Sequence, residues 1–213
     1  ETNLRDGTNR HVRMLQEEEF DAAEVSLSSY IAACAHGLPF TAIPVFPRRL
    51  FSLGQIFVRT DSAFTHPHEL AGRTVGLQSF QTTLAVLAKG DMASEYGLDL
   101  SSVRWLTRKA DTIESKRSFS FHVEAMRPGT SMAQALIGGL VEAMRPGTSM
   151  AQALIGGLVD AIFYSRTPWK NLDATIPIRR LFADPRAEER RYYAKNGYWP
   201  IMQLSAIKKV AVE

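Results

Sequence analysis

TVGLQSFQTTLAVLAKGDMASEYG, residues 74–97, is the stretch that decides the fold of this chain. Its opening TVGLQS predicts a strand, and TTLAVLAKGDMASEY after it predicts a helix that ends at Gly97. The same change from strand to helix occurs before and after this stretch. Alternating strands and helices predict an α/β protein, with helices packed on the faces of a parallel or mixed sheet.

Further elements are predicted on both sides of this stretch. Before it we expect a polar helix from His11 to Glu19 and an apolar helix that begins at the N-cap Ser26, runs to Ala35 and stops at Gly37. The segment 108–122 is polar and without period, which favours a solvated loop. The predicted strands are FDAAEVS, FTAIPVF, GQIFVRT, VRWLT, VDAIFYS, PIRRLF and YWPIMQLSAIKK, and DPRAEERRYYAKNG is a helix.

An internal repeat follows: VEAMRPGTSMAQALIGGL occupies residues 123–140 and the same letters occupy 141–158. Each copy predicts a strand, a Pro-Gly turn and a helix. A stable solenoid usually needs at least three repeats, so we interpret the pair as a tandem duplication rather than a binding array. One copy is expected to occupy the second lobe, and the other to bulge out or add an edge pair.

Composition narrows the function classes. The 213 residues are 45% hydrophobic and 22% charged, with a net charge of +3, which is typical of a globular protein and gives little electrostatic attraction for nucleic acid. No apolar run approaches the ~20 residues that a membrane span requires. The lone Cys34 cannot form an internal disulfide, and because it shares a helical face with Leu27, Ile31 and Ala35 we expect it to be buried.

The elements divide into two groups, which predicts two lobes separated by a cleft. We expect residues 1–65 and 175–213 to form lobe 1 and residues 66–174 to form lobe 2. In open α/β sheets, ligands bind beyond the strand ends and against helix N-termini. The cleft is therefore the place to look for binding residues.

Three groups of polar residues are candidates for binding a small anion. Two are helix starts, whose hydroxyls and free N–H groups can receive an anion, and the third is a set of arginines able to hold a carboxylate bidentately. The alternatives are plain N-caps and surface arginines. His66 and His68 resemble a metal pair but have no third ligand at metal spacing, so we expect no metal site. The candidates are Ser26, Ser28 and Ser29; Gln81, Thr82 and Thr83; and Arg48, Arg49 and Arg166.

Five segments in order carry a family resemblance: FDAAEVSLSSYIAACAHG, AIPVFPRRLF, ELAGRTVGLQSFQTTLAVLAKG, LIGGLVDAIFYSRTP and RRLFADPRAEERRYYAKNGYWPIM. Together they resemble the 4,5-dihydroxyphthalate decarboxylase family, which has the type 2 periplasmic-binding-protein fold of transporter solute-binding proteins. The resemblance implies a two-lobed fold, here truncated at both ends. It implies removal of one carboxyl group from a catechol dicarboxylate, with no organic cofactor and a small aromatic carboxylate as the bound partner.

The sequence departs from the family pattern at three positions. Ser52 and Leu53 stand where the family tends to have Arg and His, and Gln203 stands where it tends to have His. Glutamine can donate a hydrogen bond to a ligand but does not exchange a proton near neutral pH. Gln203 is therefore a candidate binding residue, while His36 is expected only to cap its helix.

These departures leave two functions open. The first is a cytoplasmic decarboxylase. The alternative is a non-catalytic solute-binding protein of an ABC-type transporter, which would be periplasmic if a signal peptide precedes this sequence and would have a permease as its partner.

Overall fold

The structure is a computed structural model that describes residues 7–113, 120–125, 154–155, 157–165 and 177–212. Strands and helices alternate through most of this part of the chain, as predicted. Short 3₁₀ turns lie at Leu53–Gln55, Pro67–Leu70, Leu100–Ser102 and Lys209–Ala211. The elements are α1 Gly7–Leu15, β1 Ala22–Ser26, α2 Leu27–Ala35, β2 Phe40–Arg49, β3 Ile56–Arg59, β4 Thr74–Leu77, α3 Thr83–Tyr96, β5 Arg104–Thr107, β6 His122–Ala125, β7 Ala161–Phe163, β8 Ile178–Arg180, α4 Pro185–Asn196 and β9 Ile201–Lys208.

The described strands form two sheets. The smaller sheet has the order β1-β9-β2 and is antiparallel. The larger sheet has the order β6-β5-β4-β7-β3-β8; it is parallel from β6 to β7 and antiparallel around β3. The predicted α/β class with a mixed sheet is confirmed.

Helix α3 covers one face of the six-stranded sheet. Its buried Leu84, Ala88 and Met92 pack with Val75 of β4 and Trp105 of β5. Apolar side chains at these helical spacings bury one continuous stripe, which accounts for the docking of the helix on the sheet. The helix ends at Gly97, whose φ of +66° is a left-handed conformation that glycine adopts without a Cβ clash.

The three-stranded sheet has a core of its own. Val25, Phe40 and Leu204 pack there with Met14 and Leu15 of α1. Ile113, from the loop after β5, is buried in the same cluster, and the Gln16 side chain hydrogen-bonds the Thr112 carbonyl. The loop that follows β5 therefore joins the two sheets.

Strand β2 continues past the predicted stop at Pro47. Pairing with β9 breaks after Ile43 and resumes at Arg48, so residues 44–47 form an exposed bulge. Pro44 and Pro47 have no N–H to give to a ladder, which explains the break. The resumed pairing sets Arg48 opposite Gln203.

Two predictions about the first helices are wrong. The first helix ends at Leu15 rather than Glu19, because the chain turns at Glu18, whose φ is +51°. Cys34 is exposed, and Ile31 on the same face is 59% exposed. The buried residues of α2 are Ser29 and Ala33, so the helix packs by a different face from the one that its hydrophobicity predicts.

The lobe boundaries stay a prediction, but the sheets divide the chain at other points. Strands β3 and β8, which lie in the predicted lobe 1, hydrogen-bond within the six-stranded sheet. Most of the repeat, residues 126–153, lies outside the described residues, so the fate of each copy also stays a prediction. In the described part of the chain, no helix is both long and apolar enough to cross a membrane.

Candidate functional site

The N-termini of α2 and α3 meet directly, joining the two sheets through hydroxyl groups. Ser26 Oγ lies 2.7 Å from Thr83 Oγ1, and the Ser28 backbone N–H donates to the same Thr83 oxygen at 3.1 Å. Ser28 Oγ lies 3.1 Å from both Ser26 Oγ and Thr83 Oγ1, and it donates to the Gln81 carbonyl. The helix starts predicted to face each other are thus in contact.

A row of polar residues crosses the three-stranded sheet beside this contact. Gln203 of β9 is in register with Ser26 of β1 on one side and with Arg48 of β2 on the other. Side chains that are opposite each other in an antiparallel ladder lie on the same face. The row therefore sets a hydroxyl, an amide and a guanidinium side by side, and its Ser26 end contacts the α3 start.

The two neighbouring arginines have different surroundings. Arg48 is half-buried, and its Nη2 donates to the Ser165 carbonyl just after β7, so it links the two sheets. Arg49 is exposed; its Nη1 donates to the Trp199 carbonyl at 3.2 Å, and its guanidinium lies over the Phe46 ring. Of the two arginines, Arg48 is the one in register with Gln203.

The remaining candidates are placed in different ways. Gln81 donates from Nε2 to the Ile113 carbonyl at 2.7 Å and accepts from the Ile113 N–H, so its amide fastens the loop after β5. Thr82 is the half-buried N-cap of α3, and Ser29 is buried within α2. Arg166 lies outside the described residues. His36 is the C-cap of α2, at the end remote from Ser26.

Ser52 and Leu53, where the family pattern has Arg and His, are both 1% exposed. Ser52 Oγ donates to the carboxylate of Asp91 on α3, which also accepts from the Tyr192 hydroxyl at 3.0 Å. Burial raises the pKa of Asp91. These two positions therefore serve the core between α3 and α4, away from the hydroxyl cluster.

Sequence reasoning missed two buried charged residues on α3, Lys89 and Asp91. Burial lowers the pKa of Lys89 to about 7, and the neighbouring Asp111 opposes that shift. The signal that could have found them is the KGD triplet inside an apolar helix. Charged residues are rarely buried unless they are paired, so charges within such a helix indicate specific partners.

A shallow cavity of about 180 Å³ lies elsewhere, lined by residues that include Thr74, Arg104, Leu106 and Glu124. These side chains alternate with Val75 and Trp105, so they lie on the sheet face opposite α3. Ligands of open α/β sheets bind at helix N-termini, so we place the candidate site at the hydroxyl cluster and not in this cavity.

The candidate site is suited to binding an anion. It combines one guanidinium, an amide, three hydroxyls and the positive ends of two helix dipoles. His66 and His68 are exposed, with ring centroids 5.6 Å apart. Among the described residues, no three side chains of His, Cys, Asp or Glu are grouped so that they could hold a metal ion.

Sequence comparison finds two relatives that are both named 4,5-dihydroxyphthalate decarboxylase. The chain is 27% identical, over 212 residues, to a 4,5-dihydroxyphthalate decarboxylase of Comamonas testosteroni, and 33% identical over 104 residues to one of Pseudomonas putida. The alignments cover 99% and 48% of this chain, but the chain spans only 60% and 40% of those relatives. No family model matches. The predicted resemblance to these decarboxylases is confirmed.

Structural comparison identifies the fold. The periplasmic aliphatic sulphonate binding protein SsuA of Escherichia coli superposes with a TM-score of 0.57 at 14% identity, covering 94% of this chain and 52% of that protein. The alkanesulfonate-binding protein SsuA of Xanthomonas axonopodis pv. citri, bound to MOPS, superposes with a TM-score of 0.49 at 16% identity, covering 93% of this chain and 51% of that protein. The superposition on the Escherichia coli protein confirms the predicted type 2 periplasmic-binding-protein fold.

Proposed function

We propose that this chain, similar over nearly all its length to one 4,5-dihydroxyphthalate decarboxylase, binds a small aromatic dicarboxylate between its two sheets and removes one carboxyl group. The observation that carries the proposal is the convergence of Ser26, Arg48 and Gln203 in one row beside Thr83. The row belongs to the three-stranded sheet and Thr83 to the helix packed on the six-stranded sheet, as a ligand held between the two sheets would require.

Each group has a distinct task in this proposal. The Arg48 guanidinium holds the carboxylate that is retained, because a planar fork matches a carboxylate bidentately. Ser26 Oγ, which contacts the Ser28 and Thr83 hydroxyls and has a third hydrogen-bonding position, binds a polar substituent at the other end of the ring. Gln203, between Ser26 and Arg48, donates its amide N–H to the ligand and fixes its rotation.

The reaction requires a proton at the ring carbon that loses carbon dioxide. A ring hydroxyl para to the departing carboxylate supplies electron density, the ring carbon takes a proton from the solvent, and the carbon–carbon bond breaks with its electron pair returning to the ring. Positive charge at Arg48 keeps the second carboxylate ionised and in place during this step. The products are carbon dioxide and a monocarboxylate.

A second function is supported by the side chains of the candidate set. Hydroxyls, amides and guanidinium groups bind anions but do not exchange protons near neutral pH. Such a set is sufficient for a solute-binding protein that closes on an anion and delivers it to a permease. Under this alternative the protein works outside the cytoplasm, whereas the decarboxylase needs no export.

Incubation with 4,5-dihydroxyphthalate separates the two functions. Formation of protocatechuate, followed by liquid chromatography and lost in Arg48→Met but kept in Arg49→Met, supports the decarboxylase. Ligand-induced thermal stabilisation without product supports the binding protein. If the protein forms no product and is not stabilised by the compound, both functions are excluded.

A further inference from the structure

Lys89 is a buried amine directly below the turn that leads into α3. Its side chain is largely buried, and Nζ donates to the Phe80 carbonyl at 2.9 Å. The same nitrogen lies 2.9 Å from the centroid of the Phe80 ring and 5.8 Å from that of Trp105. Such ring contacts favour the ammonium form, whereas burial opposes it.

Lys89 and Asp111 bind opposite ends of a single peptide group. The Phe80 carbonyl, which Lys89 contacts, and the Gln81 N–H belong to the same planar unit. Asp111 Oδ1 accepts from that Gln81 N–H at 2.8 Å. The two charged side chains thus fix the orientation of this peptide, and we call the pair the Lys89–Asp111 clamp.

The clamp adjoins the candidate site through the next residues of the chain. The Gln81 carbonyl accepts from Ser28 Oγ, and Thr83, two residues on, accepts from the Ser28 N–H. Rotation of the Phe80–Gln81 peptide would therefore move the groups that the α3 start presents. Lys89 acts on the site through this peptide, as a positioning residue.

The charge state of Lys89 is set by few groups. Burial lowers the pKa of the amine to about 7, and Asp111, from the loop after β5, is the charged group of the described residues that raises it. From the turn and from β5 the amine meets the Phe80 carbonyl and two aromatic rings. The positive end of the α3 dipole also disfavours a cation here.

We propose that the Lys89–Asp111 clamp is a proton-linked positioning device, and that binding of an anionic ligand at the α3 start draws a proton onto Lys89. The second half of this inference rests on the proposed function, because that function supplies the anion. The first half concerns the ligand-free protein and stands without it.

The sign of the linkage follows from the charges. An anion at the α3 start stabilises the ammonium form, so the bound protein keeps its proton to higher pH than the free protein. Affinity is then greatest below about pH 7 and falls, by up to about tenfold per pH unit, as the pH rises above the free-state pKa. Proton uptake vanishes at lower pH, where Lys89 is already charged.

The ligand-free arm follows the backbone amide of Gln81 by NMR in protein labelled with ¹⁵N-glutamine, with the resonance assigned through Gln81→Asn. We expect its proton shift to titrate near pH 7 in the wild type and in Lys209→Met, a control that removes one exposed lysine, and not in Lys89→Met. A Gln81 amide that does not titrate near neutrality overturns the clamp.

A third variant covers the case in which Lys89→Met does not fold. Asp111→Asn retains an oxygen that can accept from the Gln81 N–H but removes the charge that holds the Lys89 pKa up. The Gln81 titration should then move to lower pH. An unmoved midpoint contradicts the coupling of the two side chains.

The ligand arm uses calorimetry with 4,5-dihydroxyphthalate and with phthalate, which lacks the hydroxyls, in buffers of different ionisation enthalpy. At about pH 8 we expect net proton uptake of a fraction of a proton, absent in Lys89→Met and retained in Lys209→Met. Binding without uptake overturns the linkage and leaves the proposed function standing. If neither compound binds, the proposed function and the linkage both fail, and the Gln81 titration alone decides whether the clamp exists.

Discussion

The Thr83 hydroxyl is one of the groups that link the two sheets. Its Oγ1 lies within hydrogen-bond reach of Ser26 Oγ, Ser28 Oγ and the Ser28 N–H, which uses the one donor and two acceptor positions of a hydroxyl. The residue is 5% exposed, so water cannot readily replace these bonds. The sequence predicted a polar helix start here, but not that two such starts would touch.

Replacing this hydroxyl tests its contribution. Thr83→Val keeps the side-chain shape but leaves the Ser28 N–H without its acceptor and removes one hydrogen-bond partner of the Ser26 hydroxyl, so the free energy of unfolding should fall by about 1–2 kcal/mol. Denaturant titration measures the change. Thr82→Val is the matched control and should stay within about 0.5 kcal/mol, because the Thr82 hydroxyl makes only a 3.4 Å contact to the Ser79 carbonyl.

The neighbouring arginines provide a second matched pair. Arg48→Met should weaken binding of 4,5-dihydroxyphthalate about tenfold to a hundredfold, since a hydrogen bond to a charged group contributes about 1.5–3 kcal/mol. Arg49→Met should leave affinity nearly unchanged, because Arg49 faces Trp199. Calorimetry on both variants decides the assignment, and equal losses would contradict it. The sequence could not distinguish the two arginines, because the bulge at residues 44–47 sets which one lies opposite Gln203.

At the scale of elements, the sequence predicted helix ends well where local capping residues, rather than tertiary packing, determine them. Asp184 caps α4 by accepting from the Ala187 N–H at 3.0 Å, and Gly197 ends it with a φ of +73°. The buried face of α2 was not predictable in the same way. It is chosen by what α2 packs against, and the contact of Ser29 and Ala33 with the rest of the fold overrides the more hydrophobic face that carries Ile31.

Helices α3 and α4 are joined by an ion-pair cluster whose contribution depends on pH. Glu95 accepts from Lys195 at 3.0 Å and from Arg191 at 3.3 Å, and the Lys195 hydrogen bond is the main cause that lowers the pKa of Glu95. A carboxylate with a lowered pKa stabilises the fold above its ordinary value of 4.5, and that contribution is lost as the pH falls through the folded-state pKa.

Glu95→Gln should therefore reduce stability at neutral pH, by up to about 1 kcal/mol because its cationic partners are exposed. The difference from wild type should shrink as the pH falls below 4.5 and should disappear when Glu95 is protonated in both states. Thermal melts from pH 7 to about pH 3 measure this trend. A difference that grows on acidification would show that Glu95 is not the group responsible.

At the scale of the whole molecule, the sequence predicted a mixed sheet and two lobes but not which strands share a sheet. Strands β3 and β8 join β7 in the larger sheet, although they are predicted to lie in the other lobe. Strand pairing depends on contacts between residues far apart in the chain, and hydrophobic periodicity carries no information about them. The family resemblance predicted the fold because proteins of one family share the same strand pairing.

The repeat offers a test at the same scale. The structure describes the beginning of the first copy, in β6, and the end of the second, at Leu154 and after. A single copy contains both pieces, and deleting either copy yields the same sequence. We expect the shortened protein to keep its melting temperature within a few degrees, as well as its affinity for 4,5-dihydroxyphthalate. Loss of either, measured by thermal melts and calorimetry, would contradict an interpretation as a dispensable duplication.

The late position of strand β9 in the chain affects how the protein folds during synthesis. It is the last described strand, yet it is the central one of its sheet and provides Gln203, on which both Ser26 and Arg48 depend for their register. During synthesis β1 and β2 emerge early, and β9, which pairs with both of them among the described strands, leaves the ribosome much later, whereas β4 and β5 can pair soon after they emerge. Closing so long a loop is entropically slow. Until β9 arrives, the edges of β1 and β2 that will receive it stay open for chaperones to cover.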